Sequence, residues 1–169
     1  MQKILFLFLF LISFSLVACT GLAQPDVPTQ APTQESAKLV TTSTTIHVYK
    51  SSTCGCCGDW IDRLAAYGFD LEAEDIDNMA AIKSQYSVPA NMQSCHTAVV
   101  DGYIIEGHVP PADIERLLTA RPDAVGLTVP GMVVGSPGME VPDVPAQPYD
   151  VILFDESGKI SLFASYNQE

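Results

Sequence analysis

Three cysteines lie within four residues in the segment Cys54-Gly55-Cys56-Cys57. A thiolate is both a nucleophile and a ligand for soft metal ions, and the free amides and macrodipole at a helix N-terminus stabilise it. The segment follows a strand-like run at 45–49 and precedes a helix-like run at 59–67. This placement indicates thiol chemistry rather than packing of inert cysteines in a core.

Two kinds of site are compatible with this segment. Thiolates suit Cu(I), Zn(II) and iron–sulfur clusters, and the adjacent Cys56 and Cys57 fit a site where sulfurs bridge several Cu(I) ions better than they fit a chelating pair. Cys54 and Cys57 also form a C-x-x-C pair, which is typical of a dithiol redox site. We favour the soft-metal interpretation, with copper as the metal, because the redox interpretation gives Cys56 no role.

A fourth cysteine, Cys95, is followed directly by His96. In a regular strand their side chains would point to opposite faces, so both can reach one site only if the segment is still a loop. We predict that Cys95 is a metal ligand and that His96 is a ligand or a close neighbour of the metal. His108, between a predicted hairpin and a predicted helix, is a further candidate. A zinc site of Cys54, Cys57, Cys95 and one histidine is the alternative.

Two Pro-Gly-Met triplets, at 130–132 and 137–139, place Met132 and Met139 in turns. Thioethers bind Cu(I) but scarcely bind zinc, so methionines near the cysteines favour copper. The alternative is that these side chains fill apolar gaps over the site. The remaining histidine, His47, lies within the first predicted strand and is interpreted as structural.

The first 18 residues resemble an export signal. Lys3 precedes an apolar run from Ile4 to Ala18, which is short for a membrane span and typical of a signal peptide. The run ends in Leu16-Val17-Ala18-Cys19, which resembles the lipobox of bacterial lipoproteins, so we predict that Cys19 is lipidated. Residues 19–44 comprise this cysteine and a Pro-, Thr- and Gln-rich stretch that is predicted to be a disordered tether.

The composition and net charge of the chain limit the classes of molecule that it is expected to bind. Hydrophobic residues make up 47% of the chain and charged residues 17%, which predicts a packed core. The formal net charge of −12 argues against nucleic acid as a partner and against binding of anionic lipid by the folded surface. The membrane is therefore expected to be contacted only through the lipid anchor. The predicted location is the periplasm or cell exterior, at the outer membrane if the cell is Gram-negative.

Residues 45–169 are predicted to form one α/β domain. Apolar periodicity predicts the order β-α-β-α-β-β-α, followed by a C-terminal hairpin at 149–154 and 160–163. The second helix is predicted at about 77–86, Asp101-Gly102 is the turn of a hairpin, and Pro111 is the first residue of the third helix. A cysteine segment after the first strand and Pro89 before the third resemble the thioredoxin arrangement and predict a thioredoxin-like core. In thioredoxin-like folds the proline at this position is cis and faces the cysteines, whereas the sequence leaves the isomer of Pro89 open. Residues 90–96 separate Pro89 from the next predicted strand, which departs from thioredoxin.

Five segments of the chain, 49–60, 94–98, 102–110, 126–132 and 135–140, together resemble the CopG-type copper-resistance family of bacteria. The resemblance covers roughly residues 46–165. It implies an exported protein with a thioredoxin-like fold that handles copper. It also implies that His108 lies close to the site and that the metal-binding thiols are those of Cys54, Cys56, Cys57 and Cys95.

The sequence thus predicts an extracytoplasmic copper-binding lipoprotein that holds Cu(I) through clustered thiolates in copper resistance or homeostasis. Redox activity of the thiols or the copper is compatible with this site, and copper-trafficking proteins are candidate partners. One alternative is a thioredoxin-like thiol–disulfide oxidoreductase with Cys54 as nucleophile and Cys57 as resolving thiol. Another is a structural zinc site in an interaction module.

Overall fold

The computed structural model describes residues 44–168, whose strands form one seven-stranded sheet in the order β2-β1-β3-β4-β5-β6-β7. The strands are β1 (Thr45–Lys50), β2 (Asp70–Asp75), β3 (Thr97–Val100), β4 (Tyr103–Glu106), β5 (Gly126–Thr128), β6 (Tyr149–Phe154) and β7 (Ile160–Tyr166). The helices are α1 (Gly55–Tyr67), α2 (Met79–Gln85) and α3 (Pro111–Ala120), with a 3-10 turn at Ala90–Met92. The pairs β1–β2 and β4–β5 are parallel, and the other neighbours are antiparallel.

Apolar side chains of this sheet contribute to two separate clusters. In the larger one, Trp60 and Leu64 of α1 and Ile114 and Leu117 of α3 pack with the strands. The smaller one joins Val88, Met92, Ile104 and Phe154. Alternation along the strands decides which cluster a residue enters: Ile105 belongs to the first and its neighbour Ile104 to the second.

The central hairpin and the third helix form where the sequence predicts them. Asp101 and Gly102 have φ angles of 48° and 85°, as a two-residue turn that follows the twist of its strands requires. Pro111 begins α3, and Asp113 lies in its first turn. Both signals depend on neighbouring residues alone, so the folded chain adopts the local structure that they predict.

Helix α1 begins at Gly55 rather than at the predicted Asp59. Cys54 is its N-cap residue, and the amide of Gly58 donates to the Cys54 carbonyl at 3.4 Å. Cys56 and Cys57 therefore lie in the first helical turn and not in a loop. Helix α2 is shorter than the predicted 77–86, because the side chain of Asn78 accepts from the Ala81 amide and caps the helix before Met79.

The C-terminal third continues the sheet. Strand β5, which the sequence does not predict, pairs with β4 on one side and β6 on the other. A Cβ on Gly126 would lie 1.8 Å from the Ile104 carbonyl oxygen, so only glycine permits this approach. The predicted last hairpin forms as β6 and β7, and β7 extends to Tyr166.

Pro89 follows α2 and precedes the 3-10 turn, and every peptide bond in the described part of the chain is trans. The cis proline of thioredoxin-like folds is thus not found at this position. No helix within residues 44–168 is both long and apolar enough to cross a membrane. The predicted signal peptide, Cys19 and residues 19–43 of the predicted tether lie outside the described residues.

Candidate metal centre

Three sulfurs are positioned by the start of α1. Cys57 is fully buried, whereas Cys54 and Cys56 are half-buried. A disulfide joins Cys54 to Cys57, the pair named by the redox alternative, and Cys56 and Cys95 are free thiols within the described residues. The sulfurs of Cys54 and Cys56 lie 3.6 Å apart.

Cys95 reaches this group from a separate part of the chain. Strand β3 begins only at Thr97, so Cys95 and His96 still belong to a loop and their side chains can converge. The four sulfurs of Cys54, Cys56, Cys57 and Cys95 all lie within 4.8 Å of one another. The structure thus brings together the four cysteines that the sequence predicts as ligands.

His108 presents a ring nitrogen to the thiol of Cys95. Its Nδ1 donates to the Pro137 carbonyl at 2.8 Å, so in the neutral ring Nε2 carries the lone pair. That Nε2 lies 3.0 Å from the Cys95 sulfur, where it accepts the S–H. Burial lowers the pKa of His108, and burial together with Cys56 raises the pKa of Cys95 to about 11. A backbone partner on the other ring nitrogen is the usual arrangement for a metal-binding histidine.

His96 is fully buried on the other side of Cys95. Its Nδ1 lies 3.4 Å from the Cys95 sulfur, and its Nε2 has no hydrogen-bond partner among the described residues. The ring packs 4.3 Å from that of Trp60 and 5.1 Å from that of His108, centre to centre. Burial lowers the pKa of His96 well below its usual value, and repulsion from Lys83 and from the protonated form of His108 acts in the same direction. Cys95, His96 and His108 form a second group with ligand atoms within 4.8 Å.

Both Pro-Gly-Met turns contact the site through their backbones. A Cβ on Gly138 would lie 2.6 Å from the backbone nitrogen of Trp60 and 3.0 Å from the Cys56 carbonyl oxygen, so this turn lies against the first turns of α1. Next to Cys95, the hydroxyl of Ser94 donates to the Gly131 carbonyl. Met132 is 61% exposed, whereas Met139 is half-buried, and the roles of their thioethers stay predictions.

The predicted structural role of His47 agrees with its position. It lies on β1, where its ring meets Glu72 of the neighbouring strand at 3.1 Å, and its side chain is 51% exposed. It belongs to neither group of converging ligand atoms. His47 therefore serves as a matched control for the two buried histidines.

A buried ion pair beside the site was not predicted. Lys83 of α2 and Glu106 of β4 are in contact, at 6% and 0% exposure. Each had a signal in the sequence, since Lys83 follows Met79 by one helical turn and Glu106 ends an otherwise apolar strand. Their pairing could not be predicted from the sequence, because the two residues are 23 positions apart in the chain.

The donor set fits a soft metal ion. Thiolates select Cu(I), zinc and iron–sulfur clusters, and four sulfurs with an adjacent imidazole lone pair converge here. A disulfide sulfur has no thiolate to offer, so binding through all four sulfurs requires Cys54 and Cys57 to be reduced.

Two solved structures, called copper resistance protein copG form 1 and form 2, are similar to this chain. Each is 48% identical to it with a TM-score of 0.69, and the match covers 73% of this chain and 98% of the other. The chain belongs to the CopG copper-resistance family. A family model described as "Protein of unknown function, DUF411" matches residues 92–139. That part of the CopG-family chain contains Cys95, His96, His108 and both Pro-Gly-Met turns. No curated protein matches the chain.

Proposed function

We propose that this protein binds Cu(I) as its cargo through Cys54, Cys56, Cys57 and Cys95, in copper resistance or homeostasis. The observation that carries the proposal is the convergence of these four sulfurs within 4.8 Å from two separate segments. The choice of copper is supported by the similar chains, which are called copper resistance proteins. Thiolates are also the ligands that Cu(I) prefers.

His108 and His96 extend the thiolate site on the side of Cys95. His108 is the stronger candidate ligand, because its hydrogen bond to the Pro137 carbonyl leaves Nε2 unprotonated and directed at the sulfur. Met132 and Met139 are proposed as thioether contacts at the rim, since both belong to turns that touch the site. Zinc is the alternative metal, and elemental analysis of protein purified without added metal distinguishes the two.

The disulfide supports a second candidate function. A thioredoxin-like oxidoreductase would use Cys54 and Cys57, which here form a disulfide at the N-terminus of the helix that joins two parallel strands. We propose the thioredoxin-like relationship for this part of the fold. Copper and thiol chemistry can also combine, since oxidation of two Cu(I) to two Cu(II) releases the two electrons that, with two protons, reduce one disulfide to two thiols.

One double variant separates the two functions. The double variant Cys56→Ser, Cys95→Ser keeps the C-x-x-C pair. If reduction of insulin by the wild-type protein survives in this variant, the oxidoreductase is favoured. If Cu(I) binding is lost in it, the copper site is favoured.

The cellular setting is proposed from the N-terminal segment. An exported lipoprotein anchored by Cys19 through a tether would face the periplasm or the cell exterior and contact the membrane only through its lipid. Copper-trafficking proteins would then be its partners. Metabolic labelling with a radioactive fatty acid tests this, because label on the wild type and none on a Cys19→Ala variant is expected, and an unlabelled wild type would refute it.

The direct test of copper binding is a competition titration. Reduced protein is mixed with a chromogenic Cu(I) chelator, and we expect more than one Cu(I) per chain, with loss in Cys56→Ser as well as in Cys54→Ser. Failure of the reduced wild type to take copper from the chelator would eliminate the proposal.

A further inference from the structure

The carboxylate of Glu106 holds the backbone immediately before Cys95. Its Oε1 accepts from the Ser94 amide at 2.6 Å and from the ammonium of Lys83, and its Oε2 accepts from the Thr97 hydroxyl at 2.7 Å. Lys83 donates also to the Thr97 hydroxyl at 3.1 Å. Glu106 and Thr97 are fully buried and directly opposite one another in the β3–β4 ladder. Since a buried carboxylate is a strong acceptor, the bond from Ser94 fixes that residue firmly.

The residue after Glu106 fixes the same segment. A Cβ on Gly107 would lie 2.5 Å from the Ser94 Cβ, so the Ser94 side chain packs directly on the backbone of Gly107, which has a φ of +74°. The Gly107 amide donates to the His96 carbonyl at 3.2 Å. The chain is thus held on both sides of Cys95 by consecutive residues, which lead directly to His108.

We propose that Glu106 is a positioning residue of the metal site, which acts through the Ser94 amide to keep the Cys95 sulfur within reach of Cys56 and His108. The ammonium of Lys83 lies against the same carboxylate and balances its charge. The proposal rests on the proposed copper site for its functional meaning. A buried ion pair could instead serve stability alone, and the experiment must separate these roles.

Two variants on one background differ only in the acceptor offered to Ser94. Both carry Lys83→Met and Thr97→Val, which remove the buried ammonium and the hydroxyl that also donates to Glu106. Glu106→Gln then keeps an oxygen for the Ser94 amide, whereas Glu106→Leu does not. Because neither variant retains an unpaired buried charge, a difference between them reports the hydrogen bond to Ser94.

Cu(I) affinity is the first measurement, by chelator competition on the reduced proteins. We expect the Met/Leu variant to bind copper about 10- to 100-fold more weakly than the Met/Gln variant, as is usual when a partner of a metal ligand is lost. The difference should vanish when Cys95→Ser is added to both, since Glu106 acts through that residue. Equal affinities, or a difference that persists without Cys95, would overturn the proposal.

Alkylation of the metal-free protein is the second measurement, and it is independent of copper. With the Cys54–Cys57 disulfide intact, the rate at Cys95 relative to Cys56 is followed by peptide mass spectrometry. Loss of the acceptor for the Ser94 amide should raise opening of the segment, and hence this ratio, by about tenfold or more in the Met/Leu variant only. An unchanged ratio refutes positioning by Glu106, while a changed ratio in a chain that binds no copper refutes only the proposed function.

Ser94 offers a route that keeps both Lys83 and Glu106 if the Met/Leu variant does not fold. Ser94→Pro deletes the amide hydrogen, and Ser94→Ala, which loses only the hydroxyl, is its control. The proline variant is expected to show the same rise in the alkylation ratio at Cys95. Equal ratios in the proline and alanine variants would contradict the proposal.

Discussion

Alanine at Gly138 should disrupt the metal site, whereas alanine at Gly131 should leave it largely intact. Both glycines occupy the middle of a Pro-Gly-Met turn, with φ angles of +80° and +76°. A Cβ at position 138 would lie 2.6 Å from the backbone nitrogen of Trp60, but one at position 131 would meet no atom within 4 Å. The two variants therefore share the backbone strain and differ in the close approach to α1.

The expected sizes follow from these two effects. An alanine in the left-handed region costs about 1 kcal/mol in either variant. The contact at position 138 is with backbone atoms, which no change of rotamer can relieve, and overpacking of this kind costs about 1–3 kcal/mol more. Because the displaced turn carries the Pro137 carbonyl away from His108, Gly138→Ala should also weaken Cu(I) binding by about 10- to 100-fold.

Denaturant unfolding of the metal-free proteins and chelator competition with Cu(I) measure these effects. We expect a loss of unfolding free energy of about 2–4 kcal/mol for Gly138→Ala and about 1 kcal/mol for Gly131→Ala, from the strain and overpacking above. Equal losses of stability and equal copper affinities in the two variants would refute the reasoning that this turn supports the site.

Two further predictions concern buried charge. Lys83→Met leaves Glu106 buried without its partner, so the free energy of unfolding at pH 7 should fall by about 3–5 kcal/mol. Adding Glu106→Gln should recover most of it, and a single variant as stable as wild type would contradict the pairing. The pKa of His96 lies below its ordinary 6.5 in the folded state, so the unfolded chain binds a proton that the native chain does not. Stability of the metal-free protein should therefore fall as pH drops below 6.5, by up to about 1.4 kcal/mol per pH unit from this residue. The slope should decrease in His96→Phe, and a slope equal to that of the wild type would contradict this assignment.

Local signals carried much of the prediction of the fold. The Asp101-Gly102 turn and Pro111 marked elements that form at the expected residues, and the order from β1 to α3 is the predicted one. Strand β5 was not predicted, because its three residues are too few to show the alternation of a strand and it forms by pairing with β4 and β6. The early start of α1 was not predicted either, because glycine and cysteine are weak helix formers and give no local helix signal there.

The members of the site were readable from residue type, but their arrangement was not. Cys95 and His96 can both reach the site because β3 begins after them. The start of β3 is decided by its pairing with β1 and β4. The protonated nitrogen of His108 is set by Pro137, 29 residues away. The disulfide state of Cys54 and Cys57 depends on redox conditions, which no sequence pattern encodes.

Copper X-ray absorption of the reduced, Cu(I)-loaded protein tests the central claim most directly. Wild type should show nearest neighbours dominated by sulfur, together with copper–copper scattering from more than one bridged ion. Cys56→Ser and Cys95→Ser should each bind fewer ions with fewer sulfur neighbours. A wild-type spectrum without sulfur neighbours, or one that neither substitution changes, would contradict a site built from these four thiolates.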